Sequence, residues 1–270
     1  MIGRRERVLN YTVLIAFSLV VLVPLVLLLL AALSPDESGR PALTDLRWDN
    51  FATAWERSDF GSHLLVSAVV SLTVVLVTLV ITPLAAYALT VLALPGGRWV
   101  FTLFLAGIMI PLEGIIVPLY FGMRSTPFAS TLVALIVAHV GLSVSFGVFW
   151  MRASFRAVPA SLFESARMDG AGDFRALRSI ALPLTVPSLI TLGLLTFMWT
   201  WNDYFLAFVL VNNPDQLPVT VALGQFANRY TTQVNLMSAA ALLVALPVLL
   251  LYVFFQRRFI DGVLSGALKG

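Results

Sequence analysis

Few residues in this 270-residue chain could do chemistry, and their types and spacing exclude most of it. His63 and His139 are the only histidines and stand far apart, so the sequence shows neither a metal-ligand cluster nor a nucleophile triad. Cysteine is absent, which removes thiolate chemistry and disulfides and leaves the redox compartment unreadable. No G-x-x-x-x-G-K-[ST] occurs, and the sole lysine, Lys269, is the penultimate residue, so the chain cannot cradle a nucleotide by that route. Three stretches remain. In "IPLEGIIVP", Pro111 and Pro118 bracket Glu113, the pattern of a broken helix around a buried carboxylate. Such a carboxylate can be a proton site, a partner for freed backbone donors, or a group facing an aqueous path. In "FMWTWNDYF" (197–205), Trp199, Trp201, Asn202, Asp203 and Tyr204 set flat apolar faces beside hydrogen-bonding groups, as a sugar ring requires. An interfacial aromatic belt has the same composition. The third stretch is an island of charge and glycine, "ESARMDGAGDFRALRSIALP" (164–183).

The elements that must position these residues are set by an unusually apolar composition. Hydrophobic residues make up 59% of the chain and charged residues 11%, against about 25% charged in soluble domains. Six stretches, roughly 11–33, 64–92, 99–121, 131–151, 184–207 and 235–255, are long enough to cross a bilayer as helices. Their apolar runs are continuous, without the alternation of barrel strands. The fold class is therefore all-α integral membrane, with a kink expected at Pro83. The first greasy run, Tyr11–Leu33, has 23 residues, longer than the roughly 7–15 of a signal peptide, and reads as a retained span.

Direction follows from the basic residues. With the N-terminus inside, 12 of the 17 Lys and Arg fall in cytoplasmic segments and 5 outside, none within a span. Both termini are thus expected in the cytoplasm, and the net charge of +3 is explained without nucleic acid. The domain layout is a cytoplasmic N-terminus (1–10), a six-helix membrane domain (11–255) containing a cytoplasmic loop (152–183), and a cytoplasmic tail (256–270). The outside segment 34–62, acidic and aromatic, is either a solvated cap or a docking surface. An ion-coupled transporter would use Glu113, His139 or Asp203, the ionisable groups within or near the spans.

The island is built as two short helices around a corner. Ser161 and Glu164 have capping-box spacing, Gly170 is placed to stop the first helix, and Asp173 can cap the second. Such short helices bury little by themselves. Leu162, Phe163 and Met168 must cover either this chain's own helix ends or a cleft on a cytoplasmic partner.

The island resembles the cytoplasmic loop of binding-protein-dependent ABC importer permeases, whose pattern is Glu-Ala-Ala, three residues, Gly, nine residues, Ile-x-Leu-Pro. Here Glu164-Ser165-Ala166, Gly170 and Ile180-Ala181-Leu182-Pro183 keep both gaps, with Ser165 replacing the first alanine. "MDGAG" (168–172) is similar to the version in carbohydrate importers. The tail "QRRFIDGVLSGALKG" resembles that of the second permease subunit of maltose-type importers. The resemblance implies a type I ABC importer permease fold in a bacterial or archaeal cell membrane, and a transport subunit rather than an enzyme. It implies that Phe163, Glu164, Ser165, Ala166, Asp169 and Gly170 dock on an ATPase subunit, with Gln256, Gly266 and Lys269 of the tail also reaching it. Implied partners are a homologous permease, an ATPase dimer that uses ATP and Mg, an extracytoplasmic binding protein, and a carbohydrate. This chain would bind no cofactor. Glycerol phosphate, polyamines or amino acids are alternative cargoes within the same architecture.

Overall fold

In hydrocarbon every backbone N–H and C=O must be paired within the chain, and the apolar runs accordingly form helices. The computed structural model describes residues 3–41, 44–57, 59–226 and 233–267, and no strand occurs among them. Among the described residues, four helices are long and apolar enough to cross a membrane: α1 (Arg4–Ala32), α3 (Phe60–Thr90), α6 (Leu132–Arg156) and the Val234–Gln256 part of the last helix. Two further candidates are bent pairs rather than straight spans.

The chain divides into two compact units, Met1–Ser62 with Ala222–Pro247, and His63–Val221 with Val248–Gly270. In the first unit α1 has 29 residues, about 44 Å of helix, and no residue of its most apolar window is buried among the described residues. The segment after α1 is firmly built. Asn50, on the short helix α2 (Asp49–Arg57), donates its side-chain amide to the carbonyls of Ala32 and Ser34 at 2.8 Å each. The Ala32 carbonyl is one of those that a helix end leaves free. The Ser34 hydroxyl donates to the Arg40 carbonyl at 2.7 Å. The Ser38 hydroxyl and N–H both donate to Asp36, holding its carboxyl below the usual range. Gly39 lies at φ +69°, and a Cβ there would sit 2.6 Å from the Val234 side chain. The Val234 N–H in turn donates to the Glu37 carbonyl at 2.7 Å. These bonds hold the described residues that follow α1, among which Trp48 and Trp55 remain exposed.

In the second unit, α3, α5 (Leu112–Arg124), α6, α10 (Val186–Trp201) and the short segment Phe205–Leu210 carry the apolar core, and α4 (Gly97–Met109) lies against α6 with no buried residue of its own. Small residues let the helices close in, as membrane packing favours. A Cβ at Gly107 of α4 would lie 2.6 Å from Ser145 Oγ of α6. One at Gly147 of α6 would collide with Thr82 of α3. Thr82 and Thr191 turn their hydroxyls back onto the Thr78 and Pro187 carbonyls at 2.8 and 3.0 Å. His63 and Ser67 on α3 pin the 217–219 segment, through Nδ1 to the Leu217 carbonyl at 2.7 Å and Oγ from the Val219 N–H at 2.8 Å.

Two expected spans are corrected. Stretch 99–121 is not one helix: α4 and α5 have 13 residues each and meet at 104°. Each is about 20 Å long, short of the roughly 30 Å of hydrocarbon. The break falls at Ile110–Pro111 because a residue preceding proline is driven out of the helical region; Ile110 has ψ 118°. Pro118, by contrast, lies inside a continuous α5. Stretch 184–207 is likewise interrupted: α10 ends at Trp201, and a separate short helix, α11 (Phe205–Leu210), follows. α3 continues through Pro83.

Candidate functional site

The island is a helix, a corner and a second helix. α7 (Ala160–Met168) starts one residue before Ser161, with Pro159 at its N-cap and no side-chain cap. The expected Ser161–Glu164 capping box therefore does not form: proline fixes the entry and Ser161 is already inside the helix. Gly170 ends α7 as expected, at φ +76°. The Ala171 N–H bonds the Ala166 carbonyl at 2.9 Å and the Gly170 N–H bonds that of Arg167 at 3.0 Å. That pair of bonds defines a Schellman cap. α8 (Asp173–Ala176) is capped by Gly172, with Asp173 in its first turn instead of at the cap. Asp173 makes a 3.9 Å contact with Arg167, both half exposed, worth no more than about 1 kcal/mol. A π turn over Leu177–Ala181 leads to α9 (Leu182–Leu184), and the helical stretch Asp173–Leu184 meets α10 at 77°.

Phe163 requires a correction. Its ring is 5% exposed and packs edge-on against Tyr87 of α3 at 6.1 Å, in a cluster with Met151, Phe155, Leu177 and Leu192. It is an anchor to this chain's own core and not a surface contact. The rest of α7 faces outward. Glu164, Ser165, Asp169 and Gly170 are exposed and Ala166 is half-buried. Met168 is 88% exposed and Phe174 71%, with Leu162 also uncovered. Phe163 of α7 thus folds back onto the core, as Leu177 and Ala181 do further along, whereas Leu162, Met168 and Phe174 do not.

The tail continues the last helix, α13 (Val234–Ala267), without a break through Gly262 and Gly266. Gln256 is exposed and donates to the Val253 carbonyl at 3.2 Å. Lys269 lies outside the described residues.

Glu113 stands in the first turn of α5, just after the break, and is exposed in this chain. The break was legible from the prolines; the expected burial of the carboxylate is not observed. The aromatic stretch splits in two. Trp201 is 2% exposed and stacks on Phe197 at 5.3 Å. Asp203 accepts the N–H of Ala207 at 3.1 Å and of Leu206 at 3.4 Å, capping α11. Its Oδ2 also lies 3.5 Å from His139 Nε2 of α6, with both side chains nearly buried, and its carbonyl accepts the Thr220 hydroxyl at 2.6 Å. Trp201 and Asp203 are therefore internal. Trp199, Asn202 and Tyr204 are exposed, with Trp199 edge-on to Phe146 at 4.9 Å. Asn202 caps α10 through the Met198 carbonyl at 2.8 Å. The His139–Asp203 pairing joins residues 64 positions apart, which no local pattern could indicate. The sequence reading also missed a cavity of about 230 Å³ lined by Tyr120, Arg124, Ser130 and Asn212, where Asn212 donates to the Ser130 hydroxyl at 2.9 Å. No group of three or more possible metal ligands occurs among the described residues.

Long apolar helices, two broken ones and a polar helix–corner–helix between them define an integral membrane protein. The comparisons agree. Residues 81–264 match the family of binding-protein-dependent transport system inner membrane components, and the chain belongs to that family. It is accordingly a multi-pass inner-membrane permease subunit. It is 30% identical to the diacetylchitobiose uptake permease NgcG of Streptomyces coelicolor over 98% of this chain and 90% of that one. To the trehalose permease SugB of Mycobacterium tuberculosis it is 28% identical, over 96% and 95%. In fold it matches a chain in the crystal structure of a bacterial ABC transporter that imports the acidic polysaccharide alginate. There the TM-score is 0.82 at 22% identity, covering 96% of this chain and 99% of that one.

Proposed function

We propose that this chain is a permease subunit of an ATP-driven importer for a carbohydrate delivered by an extracytoplasmic binding protein. The observation that carries the reading is full-length similarity to permeases named for diacetylchitobiose and trehalose uptake. Both termini and the 152–183 loop face the cytoplasm, as the distribution of arginines indicates. The chain pairs with a homologous permease on an ATPase dimer, which holds the ATP and Mg.

α7 is the coupling element. Glu164, Ser165, Ala166, Asp169 and Gly170 form its docking face, extended by the uncovered Leu162, Met168 and Phe174. Phe163 fastens this peg to the bundle, so that movement of the ATPase reaches α3, α6 and α10 through packed side chains. Gln256, Gly266 and Lys269 supply a second contact from the tail. Glu113, Trp199, Asn202 and Tyr204 offer exposed carboxylate, indole, amide and phenol groups to the translocation pathway, while Trp201 and Asp203 support it from behind.

The test is uptake of labelled diacetylchitobiose, trehalose and maltotriose by cells expressing the chain with its co-encoded subunits. Uptake of one of these should survive an ionophore and stop when ATP is depleted. Uptake that collapses with the proton gradient while ATP persists would refute the reading.

A further inference from the structure

The shared end of α4 and α6 holds an arrangement of cations that the transport reading does not use. The two helices run antiparallel: Gly107 meets Ser145, and seven residues further along α6 the Arg152 guanidinium lies over the Phe101 ring, 3.7 Å from its centroid. From that contact Arg98 is one turn back along α4 and Arg156 one turn forward along α6. Helix geometry places both about 5 Å beyond it, on the sides that carry Phe101 and Arg152. Arg98, Arg152 and Arg156 therefore converge on one level.

These charges lack a counter-charge. The like charge of Arg156 acts on Arg152. The Arg152 Nε–H is buried with no acceptor. No carboxylate pairs with any of the three among the described residues, and residues 60–112 and 114–163 contain no Asp or Glu. A buried, unsatisfied donor beside a like charge is unfavourable, and an anion at this end would relieve both. The surroundings say which anion. Trp99, 75% exposed, stands beside Arg98 as interfacial tryptophans do at the headgroup level. The helix faces leading away from the cluster are apolar. Arginine matches the geometry of a phosphate.

We propose that Arg98, Arg152 and Arg156 form a site for the phosphate of an anionic phospholipid. The lipid's chains would lie along the exposed face of α4, and the site is independent of the transported sugar. It rests on the proposed orientation only in placing the lipid in the inner leaflet.

The test is native mass spectrometry of the full chain, purified with its co-expressed partner subunits, delipidated and titrated with phosphatidylglycerol, phosphatidylcholine or inorganic phosphate. The expected result is preferential retention of phosphatidylglycerol, unaffected by equimolar inorganic phosphate. Retention should weaken roughly fivefold for each arginine replaced by glutamine, the worth of one basic residue at an anionic surface. Arg175→Gln with Arg178→Gln should change nothing. If Arg152→Gln does not fold, the exposed Arg98→Gln and Arg156→Gln carry the test. Equal retention of phosphatidylcholine, unchanged retention in the variants, or displacement by inorganic phosphate would overturn the proposal. Loss of sugar uptake with lipid retention intact would count against the transport reading alone.

Discussion

Replacing Phe163 by alanine separates the anchoring of α7 from its docking. The ring is buried among Tyr87, Phe155 and Leu177, so its truncation should cost about 3–5 kcal/mol. α7 has nine residues, too few to be stable alone in water, and the loss therefore falls on local attachment. Each 1.4 kcal/mol is about tenfold in an equilibrium. The detached population should thus rise between roughly a hundredfold and a few thousandfold. The assay is trypsin cleavage after Arg167, which is half exposed at the end of α7, on the chain in nanodiscs without ATPase. Cleavage through transient opening follows the open population. Met168→Ala, on the same helix but 88% exposed, should leave the rate unchanged and weaken ATPase association instead. A Phe163→Ala cleavage rate within threefold of the unaltered chain would refute the claim that this ring holds the peg.

Three further outcomes are expected. No atom outside the immediate backbone lies within 4 Å of a Cβ at Gly170, so Gly170→Asp should cost only the left-handed backbone strain, about 1–2 kcal/mol. It should nonetheless abolish sugar-stimulated ATPase in the reconstituted transporter, and normal stimulation would exclude Gly170 from the docking face. Asp203→Ala removes the α11 cap and the contact with His139, for about 2–4 kcal/mol in thermal melting. A double-mutant cycle with His139→Ala should give a coupling above about 0.5 kcal/mol, and strict additivity would contradict a direct pairing. Glu113→Gln should leave ATP-driven uptake within a few fold, whereas its complete loss would favour a proton-carrying role.

Helix class, apolar runs and the Gly170 corner were legible because each depends on local chemistry: continuous apolar sequence, a glycine at positive φ, a proline that bars its predecessor from a helix. The 104° bend was signalled by Pro111, but its size depends on packing that no window of sequence contains. Caps were misread at Ser161 and Asp173 because capping residues compete, and Pro159 and Gly172 set the helix starts instead. The division of the island into buried Phe163 and exposed Met168 could not be read from two apolar residues on one short helix. It required Tyr87, 76 positions earlier. The pairings of Asp203 with His139 and of Arg152 with Phe101 were hidden for the same reason.

The most direct test uses the absence of cysteine from the chain. Ala166→Cys introduces a unique thiol on the half-buried face of α7. In assembled transporter a short thiol–amine cross-linker should join it to the ATPase subunit, with a yield that changes when ATP is added. Failure to capture that subunit, or labelling of the thiol in intact cells by an impermeant reagent, would contradict the account.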